Sequence, residues 1–491
     1  MNAIESNDIS KKSKRSLKWS LFAELFAKIA TPLSTMFLAR LLTPEIFGIA
    51  TAVTMVVSFC EAITETGFSK YIIQHDFDSD EEYKKHISVS FISSIFLSIL
   101  LCILIYFFRY PISSFIGNSG YEMMLVISCL QIPFTAFNAI FLAHLKRFFK
   151  FNTIFLIRIA FCIVPFLVTI PLAFLGLGVW SLVIGTIASQ IIQTPFLLIA
   201  SRRYIKFHFS FRVFAKMFSS SFAMIVESII IWLCSWASTF LAVKLFNSYY
   251  VGIAKVANST VNNIYNIFGT GYSAVLFSSL SRLKNDKEQF NNMFHSIQTS
   301  AFVIMIPLSI GSFFYSALIT RIFLGNQWTD AVYPIAIFSI SKCFFMCFNN
   351  FVSEVFRSKG HFYHSIFYQI IMLGINIGIK LLIGRNSFEA FVNSDIFYSI
   401  IITLVSLLVL QFKYGISFFK QIKTVFLVLA CSGVMFPFLL IGKYYSTGLF
   451  QSVGQVFVCA FAYFIIGFVV NRKIYFDALS YYGLDRFIMR Y

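Results

Sequence analysis

The chain has 491 residues, of which 58% are hydrophobic and only 12% charged, with a mean hydropathy of +0.79. A water-soluble core of this size has no use for so apolar a composition, which excludes an ordinary globular enzyme. The formal net charge of +18 sits in short breaks between apolar runs, where it suits an anionic membrane leaflet and indicates no nucleic-acid partner.

Runs of about 20 apolar residues, long enough to cross roughly 30 Å of hydrocarbon as helices, recur from Leu17 to Asn471 and number fourteen. After a basic cytoplasmic N-terminus over residues 1–16, six of them form an N-lobe over 17–200: Leu17–Leu42, Pro44–Ile73, Ile87–Phe108, Tyr121–Ala143, Thr153–Leu175 and Val179–Ala200. A cytoplasmic inter-lobe loop over 201–216 leads to a C-lobe over 217–412, with spans Met217–Val243, Tyr249–Leu280, Met293–Ile319, Ala331–Ser353, Phe362–Ile383 and Ala390–Phe412. Residues 413–471 hold a trailing pair, Ile422–Ile441 and Leu449–Asn471, and a cytoplasmic tail covers 472–491. The reading is an all-α polytopic membrane protein.

Charge checks the count. With both termini cytoplasmic, 27 of the 39 Lys and Arg fall in inner segments, as short cytoplasmic loops require, and six fall in outer connections. The remaining six, Lys28, Lys70, Arg158, Lys255, Lys342 and Lys380, lie inside spans. The charged start runs directly into a long helix carrying Glu24 and Lys28, so a removable signal peptide is not expected.

No loop is large enough to fold around a core of its own, and no focused acid/base cluster is visible, so an enzyme is not expected. All seven histidines fall at cytoplasmic ends or loops; His361 and His364 have a chelating spacing but an interfacial position, and no metal site is expected. A phosphate-cradling Gly-Lys-Ser/Thr loop is missing, which leaves gradient-driven or substrate-driven transport without a cofactor. The nine cysteines all fall within spans, so no disulfide framework is expected.

Polar residues at membrane depth are costly, with a central charge costing about 2.5–3.5 kcal/mol, so their pattern is informative. Span two carries Thr51, Thr54, Ser58, Glu61, Glu65 and Ser69 at spacings of three and four; span eight repeats this with Lys255, Asn258, Asn262, Asn266, Thr270 and Ser273. Spans one and seven carry looser stripes. Their matching ordinal positions in two sets of six suggest two lobes lining one hydrophilic cleft. Lys70 and Lys380 read as snorkelling residues near span ends. Lys28, Arg158, Lys255 and Lys342, if their faces converge, would line a site for a phosphate-bearing anion. Glu61, Glu65, Glu227 and Asp395 admit two roles: taking up a proton or Na⁺ to couple a gradient, or pairing with nearby cations. Glu24 and Lys28, one turn apart, also suit each other.

Three segments resemble a known family. LKWSLFAELFAKIATPLSTMFLARLLTPEIFGIATAV with the following ETGFSKYIIQ is similar to the start of the Wzx-type polysaccharide transporters, flippases of the multidrug, oligosaccharidyl-lipid and polysaccharide exporter superfamily. YYVGIAKVANSTVNNIYNIFGTGYSAVLFSSLSRLKND and FLGNQWTDAVYPI are similar to later regions of that family, although Ser278 and Ser279 stand where a span-eight proline is expected. The resemblance implies a bacterial inner-membrane flippase that moves undecaprenyl-diphosphate-linked oligosaccharide to the periplasmic leaflet by alternating access, in O-antigen, capsule or exopolysaccharide assembly. It also implies a polysaccharide polymerase or chain-length protein as partner. In that frame the four cations meet the diphosphate, and Asn258, Asn262, Asn266 and Ser58 meet sugar hydroxyls. An ion-coupled drug exporter of the same superfamily and a membrane-bound ligase or polymerase are the rival readings.

The segment FLARLLTPEIFG reads as an outer corner: Thr43 suits a helix cap, Pro44 the first helical position and Glu45 the positive end of the helix dipole. Arg40 then falls at a corner, as an outer-gate candidate rather than a ligand.

Overall fold

The computed structural model describes residues 26–117, 120–204, 208–445 and 449–480. The basic start over 1–16, the beginning of the first span with Glu24, and the tail beyond residue 480 lie outside the described residues.

Residues 26–41 form α1. It is followed by α2 (Pro44–Gln74), α3 (Asp80–Phe107), α4 (Arg109–Phe115), α5 (Glu122–Cys129), α6 (Gln131–Arg147), α7 (Phe151–Val164), α8 (Ile170–Phe174), α9 (Val179–Ser201) and α10 (Phe211–Leu245). Next come α11 (Ser248–Arg282), α12 (Lys287–Phe314), α13 (Ser316–Phe323), α14 (Val332–Phe344), α15 (Asn350–Ser358), α16 (Phe362–Leu382) and α17 (Phe388–Tyr414). The chain closes with α18 (Phe418–Gly433), α19 (Met435–Tyr445) and α20 (Leu449–Ser480). No strand occurs among the described residues. The protein is an all-α, multi-pass membrane protein.

Among the described residues, 11 helices or helix pairs are long and apolar enough to cross a membrane. The difference from fourteen has local causes. The first expected span begins outside the described residues, α11 is a continuous helix but carries Lys255 and four asparagines, and the thirteenth expected span breaks at Val434 into α18 and α19. A further break falls inside α20 at Asn471, whose φ of −153° is not helical. The Asn471 side chain accepts from the Ile474 amide and restarts the helix, so Tyr475 and Ala478 fold back into buried positions.

Helix ends follow local chemistry. Ser79 accepts from the Glu82 amide while the Glu82 carboxylate accepts from Asp78, a capping-box arrangement at the start of α3. Asp286 caps α12, Ser387 caps α17, and α17 ends on Gly415 in the left-handed region with φ of 68°. At the outer corner Pro44 takes the first position of α2, but the Thr43 side chain makes no capping bond, contrary to expectation; its carbonyl accepts the first helical bond, from the Phe47 amide.

The chain forms two compact units, Met1–Gly252 and Ile253–Tyr491. The first is built around α2, which packs on α10, α6 and α3. Ile49, Val53, Val57 and Cys60 on one α2 face meet Ile105, Leu125, Ile132 and Val183. Packing thus groups α10 with the first unit, whereas the ordinal repeat assigns it to a second lobe. Gly48 lies against the Ser248 carbonyl so closely that an added Cβ would sit 1.7 Å from it, and Gly252 stands likewise 1.8 Å from the Pro44 carbonyl. The glycine ending FLARLLTPEIFG therefore permits helix backbones to touch.

The second unit is organised on α12, which packs on α14, α18 and α20, with α14 packed in turn on α17. Tyr265 and Tyr272, two turns apart on α11, donate to the Ser339 and Met346 carbonyls at 2.8 and 3.0 Å. A π-turn over Phe345–Asn349 frees carbonyls that need such partners; Gln298 donates to that of Cys347 at 3.2 Å and to Gln421 at 3.0 Å.

Candidate functional site

The polar stripe of α2 resolves into two kinds of residue. Thr51 and Thr54 return their hydroxyls to carbonyls four residues back, and Ser58 returns its own three back, each within its own helix and without need of water. Carboxylates have no such option. Glu61 and Glu65, one turn apart, form no ion pair among the described residues, and the Thr135 hydroxyl lies within hydrogen-bond reach of Glu61.

Glu65 opens onto a cavity of about 280 Å³ in the first unit. Thr135, Asn138, Leu142 and Lys146 line it from one face of α6, Ile154, Arg158 and Phe161 from α7, and Gln190 and Gln193 from α9. The spacings of three and four on α6 follow from the helical repeat. Asn138 is locked: its amide donates to the Gln190 side chain at 3.0 Å and backbone carbonyl at 3.2 Å, while its oxygen accepts from Thr194 at 3.1 Å. The wall is thus a preorganised set of donors and acceptors with a carboxylate and two cations beside it, chemistry that suits a hydroxylated or ionic group.

Other candidates separate clearly. Lys70, still partly exposed, donates to Glu227 at 3.0 Å, tying α2 to α10. Lys380 does not snorkel. It is 1% exposed and bonded to Asp395 at 3.0 Å, with Ser394 and the Phe391 carbonyl at 3.3 and 3.4 Å. A buried ammonium with a carboxylate partner needs no route to water, which is why the position near a span end misleads.

Arg158 shares the cavity wall with Glu65, and Lys28 lies half-buried on α1 in the same unit. Lys255 and Lys342 belong to the second unit, both half-buried, with the Lys342 ammonium 5.1 Å from the Phe345 ring centre. On α11, Asn258 and Asn266 are exposed, and Asn262 donates to Asn258 at 2.9 Å, forming an amide ladder. Ser58 accepts from the Trp232 indole at 2.9 Å. Arg40 is exposed beside the outer corner. The His361 and His364 rings lie near each other, tilted by 53°, but His361 bonds the Tyr414 hydroxyl at 2.7 Å.

Asn138, Gln190, Gln193 and Lys146 were not singled out from sequence. The mid-span amides were visible there, but each helix carries too few of them to make a stripe.

Residues 37–333, more than half of the chain, match the model of a family described as polysaccharide biosynthesis protein. The chain belongs to this family. The match begins in α1, includes the outer corner and the cavity helices, and ends at the start of α14. This polysaccharide biosynthesis protein is 22% identical over 348 residues to an uncharacterised membrane protein in the cps region of Klebsiella pneumoniae, covering 69% of this chain and 70% of the relative. It is 23% identical to the succinoglycan biosynthesis transport protein ExoT of Rhizobium meliloti (67% and 66% covered) and 24% identical to a putative O-antigen transporter of Shigella flexneri (63% and 76%). Its fold is similar to that of the lipid II flippase MurJ in an inward closed conformation. The TM-score is 0.77 at 17% identity, covering 93% of this chain and 99% of that one. An inward-facing multidrug resistance transporter of the MATE family follows at a TM-score of 0.62 and 14% identity, covering 79% and 94%.

Proposed function

We propose that this protein is a flippase that moves a polyprenyl-diphosphate-linked oligosaccharide from the cytoplasmic to the periplasmic leaflet of a bacterial inner membrane, and that it is not an enzyme. The observation that carries the reading is membership of a polysaccharide biosynthesis family on a chain folded like transporters, with curated relatives named for O-antigen and succinoglycan transport. The fourteen-helix topology with both termini cytoplasmic belongs to this proposal, as do the two lobes.

In this mechanism the glycan and diphosphate occupy a hydrated path while the polyprenyl tail stays in lipid, and alternating access exposes the path to each side in turn. Lys28, Arg158, Lys255 and Lys342 compensate the diphosphate charge. Asn258 and Asn266, exposed along α11, and the half-buried Asn262 between them meet glycan hydroxyls. Glu61 and Glu65 take up H⁺ or Na⁺, while Glu227 and Asp395, already paired with lysines, act as structural ties. A polymerase or chain-length protein consumes the delivered unit.

The test is reconstitution into liposomes with a fluorescent polyprenyl-diphosphate oligosaccharide, reading leaflet transfer for wild type, Lys28→Ala and Lys255→Ala. Transfer by wild type and at least a tenfold loss in each variant are expected. Undiminished transfer in both variants refutes the diphosphate site, and transfer of a cationic drug instead refutes the flippase reading.

A further inference from the structure

Two tryptophans, Trp232 and Trp236, lie in α10. Tryptophan ordinarily sits at the membrane interfaces, where its ring meets both apolar and wet surroundings. Trp232 and Trp236 instead stand about 12 and 18 Å along the apolar stretch Met224–Leu245, near its middle at 1.5 Å per residue. Both are only half-buried, so neither ring fills a closed core.

Their setting is polar on one side. The Trp232 indole donates to Ser58 at 2.9 Å, which turns its ring toward the α2 stripe that continues one turn on to Glu61. The Phe59 ring meets Trp232 edge-on, with centroids 4.9 Å apart at 61°, and fixes its orientation. The two indoles lie within 26° of parallel with centroids 6.5 Å apart, so together they extend an aromatic surface along one side of α10. An aromatic face is electron-rich, and the axial C–H groups of a pyranose ring present the complementary positive edge, while its hydroxyls point sideways toward acceptors. Ser58 and Glu61 are such acceptors.

We propose that Trp232 and Trp236 form a stacking platform for a pyranose ring of the glycan, with Ser58 holding the platform in place. The assignment rests on the flippase reading and specifies which part of the substrate the first unit recognises. Stacking of this kind is sensitive to loss of the ring and tolerant of one aromatic replacing another.

The test uses the full-length protein in nanodiscs and two probes, undecaprenyl diphosphate bearing a single N-acetylglucosamine and undecaprenyl diphosphate without sugar, with affinity read by microscale thermophoresis. Wild type is expected to prefer the sugar-bearing probe about five- to tenfold. Trp236→Leu brings that preference to near one without changing affinity for the bare diphosphate, and Trp236→Phe keeps most of it. Trp236→Met serves in place of Trp236→Leu if the latter unfolds below the wild-type midpoint. A preference that survives loss of the ring overturns the platform and leaves the flippase reading standing. Wild-type failure to bind either probe overturns the flippase reading and the platform with it.

Discussion

The cavity bounded by α2, α6, α7 and α9 and the Lys380–Asp395 pair between α16 and α17 each place charge at membrane depth, yet they treat it in opposite ways. In the second unit the ammonium is enclosed, and its partners are a carboxylate, a hydroxyl, a carbonyl and the Phe391 ring 3.9 Å away. In the first unit Glu65 and Arg158 share the wall of an open cavity with amides already locked in place. A charge closed in by its own protein serves the fold, and a charge facing space is available to something that enters.

The contrast can be broken most forcefully at Asp395. Replacing it with alanine leaves Lys380 buried and uncompensated, and about 3–5 kcal/mol of stability should be lost, visible as a lower unfolding midpoint in detergent. The double change Lys380→Met with Asp395→Leu should recover most of that loss, since an apolar pair of similar volume avoids desolvation altogether. At the cavity, Asn138→Ala removes a clamp shared by Gln190 and Thr194 and should cost about 1–3 kcal/mol in the same measurement. Glu65→Gln should change stability by less than about 1 kcal/mol, because no ion pair among the described residues is lost.

The smallest effect concerns pH. Burial and the neighbouring Lys413, His364 and Lys359 hold the His361 imidazole below its ordinary range, where it bonds Tyr414 in the neutral form. The unfolded chain then takes up the proton first, near pH 6.5, so stability should fall as pH drops below that value. Unfolding midpoints between pH 7.5 and 5.5 should show a shallower decline in His361→Gln than in wild type.

The membrane class and helical fold were legible because the bilayer constrains composition so tightly: apolar runs of span length, polar breaks and a basic inner side leave few alternatives. The stripe on α2 was also legible as spacing. Its meaning was not, since Thr51 and Ser58 satisfy themselves within the helix while Glu65 does not, and only coordinates distinguish the two. Lys380 shows the same limit. Its distance from the span end suggested a route to water, but Asp395 lies fifteen residues on in sequence and beside it in space. The cavity escaped notice because Asn138 comes from α6, Arg158 from α7 and Gln190 and Gln193 from α9, and no single-helix pattern announces a wall built by three.

The central claim is that charge facing the first-unit cavity works in transport while enclosed charge in the second unit serves the fold. Leaflet transfer of a fluorescent polyprenyl-diphosphate oligosaccharide in proteoliposomes tests it directly, comparing Glu65→Gln with the Lys380→Met, Asp395→Leu double variant at equal amounts of folded protein. At least a tenfold loss of transfer is expected for Glu65→Gln and near wild-type transfer for the double variant. Wild-type transfer by Glu65→Gln together with its loss in the folded double variant would contradict it.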